Sequence, residues 1–240
     1  MNLTSARLVA VGDSVSEGVG DPRGGRLHGW VPYLAADAGF VLVANLARTG
    51  ATVAAVRRDQ LEAAVALAPD VVTCVVGVND VLCGRFDAAA FEVHYDHVVG
   101  TLSAAASRGV LTMTLHDITA GLPLPRPARA AVRSRTGRAN AVIERVARRH
   151  GAWVLDGTAA PALRAAGMLS IDRLHPNARG HRFIAASALD VLRAHGLVPA
   201  GPAAVAPPVD SLPARLAAGA RHALWLGRRA VALPGRRARH

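Results

Sequence analysis

The sequence predicts a three-layer α/β protein in which helices cover both faces of a parallel sheet. Five short apolar runs alternate with longer segments of helical periodicity, the pattern of repeated strand–helix–strand units. The runs are apolar except at Thr73, Thr112 and Thr114, as expected of strands that are buried on both faces. Apolar residues make up 51% of the 240 residues and charged residues 19%, a composition that excludes a wholly disordered chain.

Each predicted strand ends at a cluster of turn-forming residues. The five predicted strands, in chain order, are Leu8–Val11, Val41–Ala44, Val71–Val76, Val110–Leu115 and Ala152–Leu155. The five predicted helices are Trp30–Gly39, Val53–Leu67, Asp87–Arg108, Arg138–Arg149 and Ala178–His195. The segment Ala120–Pro127 is predicted as a loop because its prolines remove backbone donors and fix φ. This order of elements suits a doubly wound fold.

The C-terminal part of the chain differs from the rest in composition and charge. We predict one folded domain over residues 1–198, a Pro- and Ala-rich linker over residues 199–210 and a basic tail over residues 211–240. The net charge of +11 comes from arginine alone, since the sequence has no lysine. Residues 199–240 hold seven arginines against one acidic residue, so they carry +6 of the total.

Residues 211–233 have the periodicity of a basic amphipathic helix, with apolar residues on one arc and arginines on the other. Three interpretations are open: peripheral contact with a membrane, packing on the domain or on a second subunit, and nucleic-acid binding. The first two suit the pattern equally well. We expect no nucleic-acid partner, because the sequence has no recognised binding motif and no aromatic residues between the basic ones.

No cofactor and no metal is expected. Cys74 and Cys83 are too few for a disulfide framework, and the pair His94 and His97 has no third ligand nearby in sequence. The N-terminus lacks the pattern of a signal peptide, and no apolar stretch reaches the ~20 residues that span a bilayer. We therefore expect a cytoplasmic protein, which the tail would attach to the inner membrane surface if it binds lipid.

A serine follows the first predicted strand, at the start of a helix, in Gly12-Asp13-Ser14. Ligands of such folds bind at the carboxyl ends of the strands. The free N–H groups at a helix N-terminus also stabilise a developing oxyanion. The pattern indicates Ser14 as a nucleophile; the alternative is that Asp13 and Ser14 only cap the helix.

A serine hydroxyl needs a base, and His175 is the best candidate among the ten histidines. It lies in Asp172-Arg173-Leu174-His175-Pro176, so that an acidic residue precedes it by three positions. On one turn the carboxylate of Asp172 can reach the imidazole Nδ1–H and fix the tautomer in which Nε2 faces the serine. The alternative is a surface turn in which Asp172 caps the following helix.

Two more strand ends carry residues that are suited to bind an oxyanion. Gly77-Val78-Asn79-Asp80 follows the third strand, and the amide N–H₂ of Asn79 can point at a negatively charged oxygen. Gly50 follows the second strand, where its backbone N–H can approach the same point. Ordinary turn formation is the alternative for both residues.

These four motifs, in this order and one at each expected strand end, resemble the SGNH (GDSL) hydrolase superfamily over about residues 7–195. The resemblance implies a flavodoxin-like three-layer fold with a five-stranded parallel sheet in the strand order 2-1-3-4-5. It also implies the mechanism of a serine esterase, so that residues 1–198 would be the catalytic domain.

The resemblance implies a role for each motif residue. Ser14 matches the nucleophile, His175 the general base and Asp172 the acid that orients the base. The backbone N–H groups of Ser14 and Gly50 and the side chain of Asn79 match the oxyanion hole of the family.

Two acidic residues are expected to support the site. Asp13 would orient the nucleophile loop through backbone hydrogen bonds, and Asp80 would brace the turn after Asn79. The sequence departs little from the family pattern: Val15 stands where Leu or Ile is common, and Glu17 lies in a Ser-Glu-Gly triplet that is similar to the usual Thr-Glu-Gly.

The expected function is hydrolysis of an acyl ester, carried by a small molecule or a lipid, through an acyl-enzyme intermediate. Acyl transfer and thioester cleavage use the same set of residues and are variants of this hypothesis. The alternative from another class is a non-catalytic membrane- or protein-binding module that keeps the fold.

Overall fold

A five-stranded parallel sheet forms the centre of the molecule. The computed structural model describes residues 5–82, 85–120, 122–158, 167–199, 201, 211–213, 216–217, 219–220 and 223. The strands are β1 (Arg7–Gly12), β2 (Pro22–Arg23), β3 (Arg26–Leu27), β4 (Val41–Asn45), β5 (Val71–Val75), β6 (Gly109–Met113) and β7 (Trp153–Leu155). The sheet order is β4-β1-β5-β6-β7, which is 2-1-3-4-5 when only these five strands are counted along the chain. The predicted fold class is confirmed.

The strand register brings several carboxyl ends to one edge of the sheet. Gly12, the last residue of β1, lies beside Val75, the last residue of β5. On the other side of β1 the pairing with β4 ends with Ala10 opposite Asn45. The residues that follow β1, β4 and β5 therefore meet at this edge, where such folds bind ligands.

Helices cover both faces of the sheet. They are α1 (Ser14–Glu17), α2 (Trp30–Ala38), α3 (Val53–Asp59), α4 (Leu61–Ala66), α5 (Val78–Leu82), α6 (Ala88–Ala105), α7 (Arg126–His150) and α8 (Ala178–Ala194). In β1, Val9 and Val11 face the core formed with α3, α4, α6 and α7, whereas Leu8 and Ala10 face the core formed with α2 and α8. All four side chains are fully buried, which explains why the strand sequence is continuously apolar.

One predicted helix starts much earlier than expected. The periodicity places its start at Arg138, but α7 begins at Arg126, inside the segment that was predicted as a loop. Pro127 lies in the first turn of α7, where a missing N–H costs no helical hydrogen bond. The prolines thus mark the beginning of the helix, and the loop prediction was wrong for its last two residues.

Two further elements differ from the prediction. The helix predicted over Val53–Leu67 is divided at Gln60 into α3 and α4. The segment between α1 and α2 contains the short antiparallel pair β2–β3. Each of these strands has only two residues, which is too short for a hydrophobic pattern to predict them.

The described tail residues at positions 212–213, 216–217, 219–220 and 223 are helical. A Cβ added at Gly219 would lie 2.9 Å from Ile171 Cγ2, so the tail contacts the loop that precedes α8. Most of the predicted linker over residues 199–210 lies outside the described residues, and the division into domain, linker and tail stays a prediction. Within the described residues, no helix is long and apolar enough to cross a membrane.

Candidate active site

Ser14 opens α1 immediately after β1. Asp13 is the N-cap of this helix, and its Oδ1 accepts a hydrogen bond from the Val15 N–H at 3.0 Å. The short helix ends at Gly18, whose φ of +97° is one that glycine adopts without strain. The Ser14 side chain therefore sits at a helix N-terminus, as predicted, and its Oγ lies 2.9 Å from His175 Nε2.

The histidine is oriented by the acidic residue three positions before it. Asp172 Oδ2 lies 2.7 Å from His175 Nδ1. The other oxygen, Oδ1, accepts hydrogen bonds from the backbone N–H groups of Leu174 and His175, each at 3.0 Å. Because Nδ1–H donates to the carboxylate, Nε2 is the acceptor that faces the serine hydroxyl. The structure thus joins Ser14, His175 and Asp172 in one chain of hydrogen bonds.

The histidine loop packs directly on the segment that follows the serine. A Cβ at Gly20 would collide with the carbonyl oxygen of Pro176, so only glycine allows this close approach. Nearby, the buried His181 of α8 makes a hydrogen bond through Nε2 to the Val19 carbonyl at 2.9 Å. Burial lowers the pKa of His181 to about 4, so this imidazole is neutral at pH 7 and donates to the carbonyl.

The predicted oxyanion donors lie on the two neighbouring strand ends. Asn79 belongs to α5, directly after β5, and its Nδ2 donates to the Ala51 carbonyl at 2.9 Å. This contact uses one of the two amide hydrogens. Gly50 has a φ of +83°, which requires glycine in its turn. No acceptor in the described part of the chain takes a hydrogen bond from the backbone N–H of Ser14 or Gly50.

The loop that carries Gly50 is tied to α1. Glu17 Oε2 accepts hydrogen bonds from the N–H of Thr49, at 2.6 Å, and from its hydroxyl. Asn45 Nδ2 donates to the Ser16 carbonyl at 2.6 Å. The sequence motifs predict no role for Glu17 or Asn45, although the Ser-Glu-Gly triplet is a signal for Glu17.

Asp13 is buried and Asp80 is half-buried. The carboxylate of Asp80 accepts from the Val53 N–H at the start of α3, at 3.1 and 3.2 Å, a contact that braces the turn after β5. Burial raises the pKa of Asp80 to about 6. Asp13 is 1% exposed, and its Oδ2 has no hydrogen-bond partner within the described residues. Burial raises the pKa of Asp13 to about 7, although the Val15 N–H opposes this shift.

The raised pKa of Asp13 predicts that Asp13→Asn stabilises the protein at high pH. Folded Asp13 keeps a proton that the unfolded chain, with a pKa near 3.8, has already released, so stability falls as the pH rises from about 4 to 7. Asparagine keeps the cap acceptor without the charge. At ~1.4 kcal/mol per pKa unit, we expect a stabilisation of up to about 4 kcal/mol at pH 8 and almost none at pH 4.

Urea denaturation of both proteins at pH 4 and pH 8 measures this difference. Asp87→Asn is the control, because it makes the same change at the exposed N-cap of α6. It measures how much the substitution alters stability at an N-cap that is not buried. An Asp13→Asn variant that is less stable than wild type at pH 8 would contradict the interpretation.

The remaining candidate groups have structural contacts. Arg57 Nη1 lies 3.4 Å from His94 Nδ1, and Cys74 is buried in β5, which raises the pKa of its thiol to about 12. Among the described residues, no group of three His, Cys, Asp or Glu side chains is arranged to hold a metal ion. Cys83 lies outside the described residues.

The fold resembles those of known hydrolases. An alpha/beta hydrolase from the metagenome of Lake Arreo, Spain, is 24% identical with a TM-score of 0.62, over 81% of this chain and 97% of that chain. A variant of the acetyl xylan esterase Axe2 from Geobacillus stearothermophilus is 23% identical with a TM-score of 0.63, over 84% of this chain and 100% of that chain. A search of curated proteins finds no match.

Residues 10–183 match the family described as GDSL-like Lipase/Acylhydrolase family. The match covers well over half of the chain and includes every predicted site residue, from Asp13 to His175. The resemblance to the SGNH (GDSL) superfamily is thereby confirmed. The chain belongs to the GDSL-like lipase/acylhydrolase family and is a carboxylic ester hydrolase.

Proposed function

We propose that the protein cleaves an acyl ester through Ser14, His175 and Asp172, with an acyl-enzyme intermediate on Ser14. The observation that carries this proposal is the continuous chain of hydrogen bonds among the three side chains, at 2.9 Å and 2.7 Å. A hydroxyl in contact with an imidazole, which is in turn oriented by a carboxylate, is the arrangement that activates a serine nucleophile.

In the first half of the reaction, His175 Nε2 takes the proton of Ser14 while Oγ attacks the carbonyl carbon of the ester. The carbonyl oxygen becomes an oxyanion, which accepts hydrogen bonds from the N–H groups of Ser14 and Gly50 and from Asn79 Nδ2. The bond to the alcohol oxygen then breaks, and His175 gives its proton to that oxygen. The alcohol leaves and the acyl group stays on Ser14.

In the second half, a water molecule replaces the alcohol. His175 accepts a proton from the water as its oxygen attacks the acyl carbon, and the same three donors hold the new oxyanion. The bond to Ser14 Oγ breaks, Oγ regains the proton from His175, and the carboxylic acid is released. Asp172 keeps the imidazole oriented and stabilises its positive charge in both halves without becoming protonated.

A fluorophosphonate probe tests the nucleophile directly, because it forms a covalent bond with an activated serine. We expect one label per chain, mapped by peptide mass spectrometry to the peptide that contains Ser14. Labelling of another residue, or no labelling of folded protein, would overturn the assignment of Ser14 as the nucleophile.

The substrate in this proposal is a small-molecule or lipid acyl ester. Axe2, which shares the fold, is an acetyl xylan esterase, so acetylated sugars belong among the substrates to be tested. Values of kcat/KM separate small-molecule esters from lipid esters as substrates. They are measured for p-nitrophenyl esters of increasing acyl chain length, for acetylated xylose and for a lysophospholipid. A preference for acetyl over longer acyl groups favours a small-molecule substrate; the opposite preference favours a lipid.

Peripheral membrane contact of the tail completes the proposal. Leu212 and Leu216 are 65% and 66% exposed, and with Ile171, which is 53% exposed, they form what we term the leucine patch. These residues border a cavity of about 290 Å³ between the tail and the loop that precedes α8. An exposed apolar patch in an arginine-rich segment suits an anionic lipid surface. Contact between Gly219 and Ile171 supports packing of the tail on the domain, so both interpretations can hold together.

We expect the double substitution Leu212→Asp and Leu216→Asp to reduce binding to vesicles that contain phosphatidylglycerol by at least about ten-fold, since each leucine contributes ~1.5–3 kcal/mol when buried. Flotation of the protein with vesicles measures this binding. Val93→Asp is the matched control, because Val93 is 63% exposed on α6 and lies outside the leucine patch. Equal flotation of the double variant and wild type would remove the membrane proposal.

A further inference from the structure

The nucleophile loop is held by a buried glutamine that belongs to none of the four motifs. Gln60 is 3% exposed, and its side chain bonds to both backbone groups of Gly12. Its Oε1 accepts from the Gly12 N–H at 2.8 Å, and its Nε2 donates to the Gly12 carbonyl at 2.9 Å. Gly12 lies two residues before Ser14, so this amide fixes the end of β1 just ahead of the serine.

Gly12 lies just beyond the paired residues of β1 and β4. That pairing stops with Ala10 opposite Asn45, and the Gly12 carbonyl also accepts a hydrogen bond from the Arg48 N–H at 3.1 Å. The φ of Gly12 is +145°, and a Cβ there would collide with the carbonyl oxygen of Val75, so glycine is required. Glycine is also the residue whose backbone rotates most easily. The two hydrogen bonds from the Gln60 side chain, together with the one from Arg48, restrict that freedom.

The position of Gln60 explains why the helix predicted over Val53–Leu67 is divided. The backbone of Gln60 departs from helical geometry, with φ −123° and ψ −31°. Hydrogen bonding continues across the break, since the Gln60 N–H donates to the Val56 carbonyl and the Ala64 N–H donates to the Gln60 carbonyl, both at 3.0 Å. The backbone hydrogen bonds around Gln60 are therefore kept where the helix is divided, and the Gln60 side chain is buried against β1.

We propose that Gln60 is a positioning residue of the active site: it fixes Gly12 and thereby holds Ser14 Oγ at hydrogen-bond distance from His175 Nε2. This inference rests on the proposed role of Ser14 as the nucleophile. A displacement of about 1 Å at a reacting group lowers a rate by about 10²-fold, so the loss of this contact is visible in kcat.

The chain offers a matched control in Asn140 of α7. This buried amide makes the same pair of hydrogen bonds to Leu115: Oδ1 accepts from the N–H at 2.7 Å, and Nδ2 donates to the carbonyl at 2.8 Å. Leu115 follows β6, which is separated from β1 by β5. Substitution of Asn140 thus breaks an equivalent contact that does not hold the nucleophile loop.

Two substitutions in the full-length protein test the proposal. Gln60→Met keeps the length of the side chain and removes both hydrogen bonds; we expect kcat to fall about 10- to 100-fold with KM within about three-fold of wild type.

Gln60→Glu keeps the shape of the glutamine side chain. Its carboxyl can donate to the Gly12 carbonyl only when it is protonated, and burial favours that neutral form. We expect its kcat relative to wild type to be close to one at pH 5.5 and to fall at least about ten-fold by pH 8.5.

All rates are divided by the folded fraction, measured by circular dichroism. Asn140→Asp should lower stability while kcat per folded molecule stays close to wild type. A Gln60→Met variant with wild-type kcat, a Gln60→Glu ratio that does not change with pH, or an equal kcat loss in Asn140→Asp overturns the proposal. If Gln60→Met fails to fold, the pH profile of Gln60→Glu decides alone. Activity in Ser14→Ala would instead overturn the proposed function, which keeps the two failures distinct.

Discussion

Ser14→Ala is expected to lower kcat for a short p-nitrophenyl ester by about 10⁶-fold, the loss that a serine protease suffers without its nucleophile. The hydroxyl is the only part of the side chain that is removed, and its hydrogen bond to His175 is the contact that is lost. The backbone N–H of Ser14 stays in place. Substrate binding should therefore change little, and the loss should fall on kcat.

Ser16→Ala is the matched control for this experiment. Ser16 lies on the same short helix, is fully buried, and its hydroxyl has no hydrogen-bond partner among the described residues. Its removal should leave kcat close to wild type. Hydrolysis by purified Ser14→Ala at the wild-type rate, or an equal loss in Ser16→Ala, would show that Ser14 is not the nucleophile.

The sheet could be predicted from the sequence because its strands are buried on both faces. A strand such as β5, in which all five residues are buried, is apolar at every position except Thr73, and that pattern is visible without a structure. The predicted positions of Ser14, Gly50 and Asn79 follow from the same logic, since parallel strands present their carboxyl ends at one edge. Asp172 and His175 lie instead in the loop that precedes α8, where their spacing of three residues predicts a contact between carboxylate and imidazole.

Other features depend on contacts between distant residues, which periodicity does not report. Gln60 lies within a helical pattern, and its role at Gly12 involves a residue 48 positions away. The predicted start of α7 was wrong for a local reason. The Pro-rich composition of the segment before it suggests a loop, but a proline is compatible with the first turn of a helix. The sequence pattern therefore identifies the ends of strands better than it identifies distant side chains, such as Gln60, that make hydrogen bonds to those ends.

Asn79→Ala is expected to lower kcat by about 10²–10³-fold with little change in KM. In the proposed mechanism one amide hydrogen of Asn79 binds the oxyanion, which exists only in and near the transition states. The other hydrogen already binds the Ala51 carbonyl at 2.9 Å, so the amide is held in place before substrate arrives. Steady-state kinetics on a p-nitrophenyl ester measure both constants, and urea denaturation measures the stability lost with the Ala51 contact.

Asn79→Asp separates the electrostatic role from one in which the side chain only fills space, and urea denaturation reports the stability lost with the Ala51 contact. Aspartate has nearly the same shape as asparagine, so a position that only fills space would tolerate it better than alanine. A donor to an oxyanion gives the opposite order, because a carboxylate places a second negative charge beside the developing one. We therefore expect kcat per folded molecule to decrease from wild type to Asn79→Ala and further to Asn79→Asp. An aspartate variant that is more active than the alanine variant would remove Asn79 from the oxyanion hole.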